Sequence, residues 1–167
     1  MGLEFFYTQP VRIWFGAGQF DRLGEILNEL GLKHCVAVCD PFLKIKLEAL
    51  STQNKAICAV FSGVEENPQL SGVEAVIRLI RETGADGVIG VGGGSTMDTA
   101  KFSAAAASAE GEAIDCFRGV CPFPAEHIPV LTVPTTAGTG SEVTQVSVIS
   151  HGKEKKTINN PAFMPSC

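Results

Sequence analysis

The chain has 167 residues, of which 45% are hydrophobic and 19% are charged, and its formal net charge is −5 at pH 7. This composition is typical of a globular domain and excludes disorder as the default, and the lack of a Lys/Arg run argues against binding to nucleic acid. The length suits a single well-packed domain over residues 1–167, and no apolar stretch is long enough to predict a membrane span. Because the first residues include Glu4 and lack a basic, then apolar, signal region, we expect a cytoplasmic location.

Strands and helices alternate along the chain. Apolar residues at helical spacing predict the helices, and short apolar runs bounded by Gly, Pro and Asp predict buried strands. The predicted helices are 19–30, 42–50, a helix opened by Asn67-Pro68 and ended at Gly84, and 95–108; the predicted strands are 36–39, 56–61, 87–91 and 129–133. The segment 111–129 is rich in Gly, Pro and Cys, and we predict a loop there.

The segment 145–150 alternates polar and apolar residues and is followed by His151-Gly152, which predicts a β-hairpin. Before it, strands and helices are joined by short connections. This order predicts an α/β fold, a doubly wound, mostly parallel Rossmann-like sheet covered on both faces, with the hairpin added at its end.

Asp40 directly follows the predicted strand 36–39. A carboxylate at the end of such a strand is able to accept both hydrogen bonds from an adenosine ribose and repels a 2′-phosphate. An Asp before a proline is equally consistent with a simple turn.

A glycine-rich loop, Gly92-Gly93-Gly94-Ser95, lies between the predicted strand 87–91 and the next helix. Residues without a Cβ let a ligand approach the backbone, and the free N–H groups of the helix start carry partial positive charge. The loop therefore favours a pyrophosphate, although a lone glycine run is equally consistent with a tight turn that binds nothing.

A second loop, Pro134–Thr144, follows the predicted strand 129–133 and is rich in hydroxyl groups and glycine. Ligands of doubly wound sheets lie outside the carboxyl ends of the strands, so two such loops predict one shared crevice. In the alternative interpretation, Ser141 or Thr139 caps a helix that has Glu142 in its first turn.

The two loops together resemble the N-terminal, cofactor-binding domain of the iron-containing (group III) alcohol dehydrogenases. The matching motifs are Gly-Gly-Gly-Ser-x-x-Asp-x-x-Lys over 92–101, Pro-Thr-Thr-x-Gly-Thr-Gly-Ser-Glu over 134–142, and the opening segment 11–18. The resemblance covers essentially the whole chain and implies a dehydroquinate synthase-like domain that binds NAD. The glycine loop departs from the usual dinucleotide fingerprint, because Ser95 replaces the third glycine and the acid lies upstream of the loop.

The resemblance also implies which residues contact the cofactor. Asp40 matches the acid on the adenosine ribose, which favours NAD, and Asn67 matches a contact to a ribose or to the nicotinamide side. Lys156 matches a lysine near the ribose on the hairpin, although Lys155 is adjacent. The pyrophosphate loop is matched by Gly93, Gly94 and Ser95, with Asp98 close by, and the second loop by Thr135, Thr136, Thr139, Ser141 and Thr144. From spacing alone, Asp98 and Lys101 are equally consistent with an ion pair on the helix surface.

The family holds a catalytic iron, sometimes zinc, through one aspartate and three histidines that follow the cofactor domain. We expect this helical metal-binding domain to be absent from the chain, which ends at Cys167. His34, His127 and His151 share no ligand spacing, so we expect no metal site among them.

The six cysteines contain no CxxC pair. Cys35, Cys39 and Cys58 lie in predicted strands, and we expect them to be buried. Cys116 and Cys121 are close enough in sequence for a disulfide, but reduced thiols are favoured in a chain without a secretion signal.

The resemblance implies an NAD-dependent, iron-type alcohol dehydrogenase, a homo-oligomer that interconverts small alcohols and aldehydes or ketones by hydride transfer. This chain would supply its cofactor-binding half. One alternative is a catalytically silent nucleotide-binding or subunit-interaction module. Another is a sibling such as a glycerol dehydrogenase or dehydroquinate synthase, over which the segment 134–144 favours the alcohol dehydrogenase branch.

Overall fold

The computed structural model describes residues 4–6 and 8–167. Within these residues, four parallel strands form the main sheet in the order β2-β1-β3-β4, and two antiparallel strands form a hairpin. The strands are β1 (Cys35–Cys39), β2 (Ile57–Phe61), β3 (Gly87–Gly92), β4 (Val130–Pro134), β5 (Val146–His151) and β6 (Glu154–Asn159). The helices are α1 (Leu23–Glu29), α2 (Lys44–Gln53), α3 (Leu70–Thr83), α4 (Gly94–Ala107) and α5 (Ala113–Arg118). The predicted doubly wound α/β sheet with a hairpin is confirmed.

Helices cover both faces of the parallel sheet. The central strands β1 and β3 are buried along their whole length, as expected for parallel strands between two helical layers. Alternate residues face opposite layers because side chains on a strand alternate. The layer of α1 and α2 packs on Cys35, Ala37, Cys39, Ile89, Val91 and Leu131. The layer of α3 and α4 packs on Val36, Val38, Val88 and Val130.

Helix α4 is buried on almost all sides. It packs on β3 so closely that a Cβ on Gly90 would lie 2.9 Å from the Cβ of Ala100. On its other side the hairpin contributes Ile149 to a cluster with Phe102 and Phe163. This packing fixes the start of α4 at the centre of the sheet, at the carboxyl end of β3.

Helix α3 ends where the sequence predicts. Gly84 adopts a left-handed conformation with φ of 63°, and its N–H donates to the Ile80 carbonyl. A residue with a Cβ is strained in that conformation, so glycine ends the helix there.

The predicted loop over 111–129 is wrong in part, because it contains α5. Glu112 and Asp115 form a capping box at its start, and Gly119 ends it with φ of 78°. Glu112 is a less usual N-cap residue than Ser, Thr or Asp, so the sequence signal for this helix is weak among the neighbouring glycines and prolines.

All six cysteines are free. Cys35 and Cys39 are buried as predicted, but the prediction for Cys58 is wrong, since Cys58 is exposed. The pairing of β1 with β2 jumps from Ile57 to Ala59, which leaves Cys58 as a bulge on the edge strand.

The strand order places a crevice above β1 and β3. The chain moves outward from β1 to β2 and then crosses to β3 and β4, so the direction of winding reverses between β1 and β3. Ligands of such sheets bind outside the carboxyl ends at this reversal. No helix in the described part of the chain is long and apolar enough to cross a membrane.

Candidate functional site

The start of α4 lies at this reversal and has no side-chain cap. Gly93 is the N-cap residue, and it supplies no side chain to accept the backbone N–H groups of the first turn. The first N–H groups of a helix have no partner within the helix, so those of Gly94, Ser95 and Thr96 point outward with partial positive charge. This arrangement suits an anion.

The glycine run provides space rather than an unusual backbone conformation. None of Gly92, Gly93 and Gly94 has a positive φ. A Cβ on Gly92 would lie 2.6 Å from Asp40 Oδ1, and a Cβ on Gly94 would lie 3.2 Å from Thr139 Cγ2. The glycines therefore let Asp40 and the second loop approach the backbone of the first loop.

Asp40 connects the ends of three strands. Its Oδ2 accepts the backbone N–H of Gly93 at 3.1 Å and lies 3.5 Å from the hydroxyl of Thr135, while its Oδ1 accepts the hydroxyl of Thr96. Asp40 also precedes a 3-10 turn, Pro41–Leu43, but its side chain makes no capping hydrogen bond there. The carboxylate thus binds the glycine loop, and a simple turn at Asp40-Pro41 does not explain these hydrogen bonds.

The second loop lies against the first. Thr136 Oγ1 is 3.6 Å from the position of a Cβ on Gly93, and Thr139 packs on Gly94. Ser141 Oγ donates to Asp98 Oδ1 at 2.6 Å. Residues Ser141–Val143 form a single 3-10 turn with Gly140 at its N-cap and Glu142 within it. Thr139 Oγ1 accepts the Ser141 N–H at 3.4 Å at the start of this turn, whereas Ser141 caps no helix.

Asp98 and Lys101 form a buried pair, so their interpretation as a surface ion pair is wrong. The Lys101 side chain is 0% exposed and the Asp98 side chain 13%, with 3.4 Å between Nζ and Oδ1. Desolvation lowers the pKa of Lys101, and the Asp98 carboxylate opposes the shift. The spacing is the same for a surface pair and a buried pair, and only the packing of the hairpin on α4 distinguishes them.

A cleft of about 480 Å³ opens between the start of α4, the second loop, β5 and the connection from β2 to α3. Its lining includes six of the residues that the resemblance assigns to the cofactor: Gly94, Ser95, Asp98, Thr139, Ser141 and Thr144. Asp40, Gly93, Thr135 and Thr136 lie together beside it at the strand ends. A second hollow of about 500 Å³, lined by Pro10, Arg12 and Glu29 among others, has no glycine loop.

Lys155 lines the cleft, whereas Lys156 does not. Lys155 Nζ donates to Asn67 Oδ1 at 2.9 Å, which brings Asn67 to the same cleft. Lys156 Nζ instead donates to the Phe117 carbonyl at 3.3 Å and lies over the Phe117 ring. Adjacent residues on a strand face opposite sides, and here Lys155 faces the cleft while Lys156 faces Phe117.

Metal ligands do not converge in the described residues. No group of three or more His, Cys, Asp and Glu side chains among them is placed to hold a metal ion. His34 precedes β1, His127 lies between α5 and β4, and His151 ends β5. These residues do not fit an iron or zinc site.

A sequence model of the family described as iron-containing alcohol dehydrogenase matches residues 10–167. Long-chain-alcohol dehydrogenase 1 of Geobacillus thermodenitrificans is 36% identical over 152 residues, which cover 87% of this chain and 38% of that protein. The crystal structure of sulfoacetaldehyde reductase from Bifidobacterium kashiwanohense in complex with NAD+ is similar with a TM-score of 0.89 and 34% identity, covering 99% of this chain and 45% of that one. NADH-dependent butanol dehydrogenase A from Thermotoga maritima is similar with a TM-score of 0.85 and 30% identity, covering 98% and 43%. The chain spans about two-fifths of the length of the curated relatives it matches.

Proposed function

The chain belongs to the iron-containing alcohol dehydrogenase family, and on that premise we propose that residues 1–167 are the nucleotide-binding domain of an NAD-dependent alcohol dehydrogenase. The observation that carries the proposal is the uncapped start of α4, which opens on a cleft of about 480 Å³ at the reversal of the sheet. A pyrophosphate would accept hydrogen bonds from the free N–H groups of the first turn. Gly93 and Gly94 leave the backbone open to it.

The adenosine ribose would lie at Asp40. A carboxylate offers about four acceptor positions, and Asp40 uses three of them for Gly93, Thr96 and Thr135. The remaining capacity is free for a ribose hydroxyl, and the negative charge disfavours the 2′-phosphate of NADP. The names of the relatives agree with this choice, since one solved structure holds NAD+ and several dehydrogenases are named as NADH-dependent.

The nicotinamide half of the cofactor would extend along the cleft toward the hairpin. Lys155 and Asn67 face each other at 2.9 Å on that side and offer a cation, an amide and their hydrogen-bonding groups to the second ribose. The bound cofactor supplies the hydride acceptor or donor, and the chain's own residues bind and orient it. We propose that the substrate is a small alcohol or its aldehyde or ketone.

The relatives support this branch of the family over its siblings. Those at 30% identity or more include a butanol and a long-chain-alcohol dehydrogenase, which favours alcohol oxidation over glycerol dehydrogenase or dehydroquinate synthase chemistry. The family name implies iron, with zinc as the alternative. The described residues of this chain do not offer its ligands.

Self-association and a cytoplasmic location belong to the same proposal. Phe5, Phe6 and Phe15 are 90%, 90% and 95% exposed, and apolar side chains so far out of the core favour contact with another protein surface. We propose a second copy of the chain as that surface, which gives a homo-oligomer.

The six unpaired cysteines suit a reducing compartment and so support the proposed cytoplasmic location.

A second candidate is a catalytically silent nucleotide-binding module, and the scattered histidines favour it. Metal analysis after dialysis, together with a dehydrogenase assay in added Fe²⁺ or Zn²⁺, tests whether the 167-residue chain is catalytically silent by itself. We expect no stoichiometric metal and no turnover from this chain alone. Retained metal or turnover would mean that His34, His127, His151 or the cysteines form a metal site.

Calorimetric titration of the 167-residue chain with NAD+ tests the proposed function. Saturable binding of one nucleotide per chain supports it. No binding at millimolar NAD+ contradicts it.

A further inference from the structure

Lys101 is among the largest fully buried side chains of the described residues, and it lies in the second turn of α4. Its Nζ donates to the backbone carbonyl of Ser141 at 2.9 Å and to that of Thr144 at 3.3 Å. It also donates to the carbonyl of Val146. An ammonium group has three N–H donors, so this cation is engaged almost entirely with backbone oxygens.

The three carbonyls belong to one short stretch of the chain, the end of the second loop and the start of β5. They are the part of the loop that connects the cleft-lining Ser141 and Thr144 to the hairpin. Carbonyls that point inward to one spot need a donor there. Lys101 supplies that donor from α4.

Asp98 binds the same stretch as a hydrogen-bond acceptor, whereas Lys101 binds it as a donor. It lies one turn before Lys101 on α4 and accepts from Ser141 Oγ at 2.6 Å and from the backbone N–H of Val148 at 3.0 Å. Its Oδ1 is 3.4 Å from Lys101 Nζ, which balances the buried charge. One face of α4 thus binds the loop through a donor and an acceptor.

We propose that Lys101 is a positioning residue that fixes the second loop to α4, so that both walls of the nucleotide cleft are held by a single helix. The inference rests on the proposed function, because it concerns the same cleft. The start of α4 forms one wall, and Lys101 holds the other wall in place before a ligand arrives. Ordering of this kind lowers the entropy lost on binding and thereby raises affinity.

If Lys101 only stabilised the fold, its replacement by an apolar side chain would leave NAD+ binding unchanged. A buried charge is costly to desolvate, and an apolar side chain of similar size often gives equal or higher stability in its place. Methionine matches lysine in length and removes the charge and the donors. In Lys101→Met the core contacts of the side-chain methylenes remain, while the three carbonyls lose their common donor.

The test compares Lys101→Met with Ser103→Ala. Ser103 is also fully buried on α4, but its hydroxyl donates to the Val73 carbonyl of α3 and not to the second loop. In Lys101→Met we expect faster amide hydrogen exchange confined to residues 139–148 and NAD+ binding weaker by about tenfold. In Ser103→Ala we expect both quantities to equal those of the unchanged chain. Equal NAD+ affinity in Lys101→Met, or unchanged exchange over 139–148, overturns the inference.

A measurement on the unchanged chain covers the case in which Lys101→Met does not fold. With lysine labelled with ¹⁵N at Nζ, we expect slow proton exchange at the Lys101 ammonium, assigned through its own side-chain carbons, and a change in its chemical shift on NAD+ saturation. Lys44, whose side chain is half exposed, is the fast-exchanging control. Exchange at Lys101 as fast as at Lys44, or a shift that NAD+ leaves unchanged, overturns the inference. If the unchanged chain binds no NAD+, the proposed function fails instead, and slow Nζ exchange still shows that the loop is held.

Discussion

Asp40 and Gly93 stand at the ends of neighbouring parallel strands, and the Asp40 carboxylate accepts the Gly93 N–H at 3.1 Å. The contact is possible because Gly92 has no side chain, since a Cβ there would lie 2.6 Å from Asp40 Oδ1. The acid at the end of β1 and the glycine loop at the end of β3 are therefore one unit. A substitution in either is expected to act on both.

Replacing Asp40 tests cofactor choice. In Asp40→Gly we expect weaker binding of NAD+ and a smaller preference over NADP+, because the charge that disfavours a 2′-phosphate is removed. Loss of the hydrogen bonds to Gly93 and Thr96 is also expected to lower the free energy of unfolding by about 1–3 kcal/mol. Titration with both cofactors and urea denaturation measure the two effects.

Asp40→Asn is the control for charge, since an amide is able to keep one acceptor for Gly93 and one polar contact to Thr96. We expect it to relax the preference for NAD+ with a smaller loss of stability than Asp40→Gly. An unchanged ratio of NAD+ to NADP+ affinity in both variants would remove Asp40 from the nucleotide site.

Gly94→Val tests whether the glycine loop binds the cofactor or only turns the chain. The new side chain would meet Thr139 and occupy space at the start of α4, so we expect NAD+ affinity to fall by more than stability does. Gly72→Val on α3 is the control, because a Cβ there has no heavy atom within 4 Å. Titration with NAD+ and thermal denaturation of both variants measure the two effects. Equal losses of binding and stability in Gly94→Val would favour a loop that only turns the chain.

The two hairpin lysines make a matched pair. Lys155→Ala is expected to weaken NAD+ binding by about 0.5–1.5 kcal/mol through loss of a hydrogen-bonding cation in the cleft. Lys156→Ala is expected to leave binding unchanged and to lower the free energy of unfolding by about 0.5–1 kcal/mol, through loss of its contact with the Phe117 ring at 4.8 Å. Binding and denaturation curves for both variants check this, and the reverse pattern would favour Lys156 as the cofactor contact.

The buried ammonium of Lys101 predicts a dependence of stability on pH. Desolvation lowers its pKa below the ordinary 10.5, against the opposing charges of Asp98 on α4 and Glu142 on the second loop. Between the lowered pKa and 10.5 the unfolded chain binds more protons at this residue than the folded chain does, so the contribution of Lys101 to the free energy of unfolding rises with pH.

Urea denaturation at a series of pH values up to 10.5 measures this contribution as the difference between the unchanged chain and Lys101→Met. The difference removes the effects of all other titrating groups that the two proteins share. We expect it to grow in favour of the unchanged chain as the pH rises. A difference that is constant or falls with pH would mean that the pKa of Lys101 is not lowered by burial.

Much of the fold could be predicted from the sequence because its signals are local. The strands at Cys35–Cys39, Gly87–Gly92 and Val130–Pro134 each begin and end within one residue of the prediction, since apolar runs bounded by breakers are read directly. Gly84 ends α3 for the same reason. The crevice followed from the order of the elements, which sets where the carboxyl ends of strands meet.

The sequence predicts poorly those properties that depend on distant parts of the chain. Whether Lys155 or Lys156 faces the cleft depends on the register of the hairpin against α4, and one residue reverses the answer. Whether Lys101 lies on the surface or in the core depends on the hairpin that covers it. Cys58 is exposed because of an irregularity in pairing with another strand. Composition and spacing near these residues carry none of that information.

We propose that the uncapped start of α4 and the second loop bind the nucleotide jointly. Titration of the ¹⁵N-labelled chain with NAD+, followed by amide chemical shifts, tests it most directly. We predict saturable changes concentrated at residues 93–96 and 135–144, with smaller changes at Asp40 and Lys155 and none at the distant hollow lined by Pro10 and Glu29. Changes concentrated at that hollow, or no saturable change at 93–96, would contradict the account.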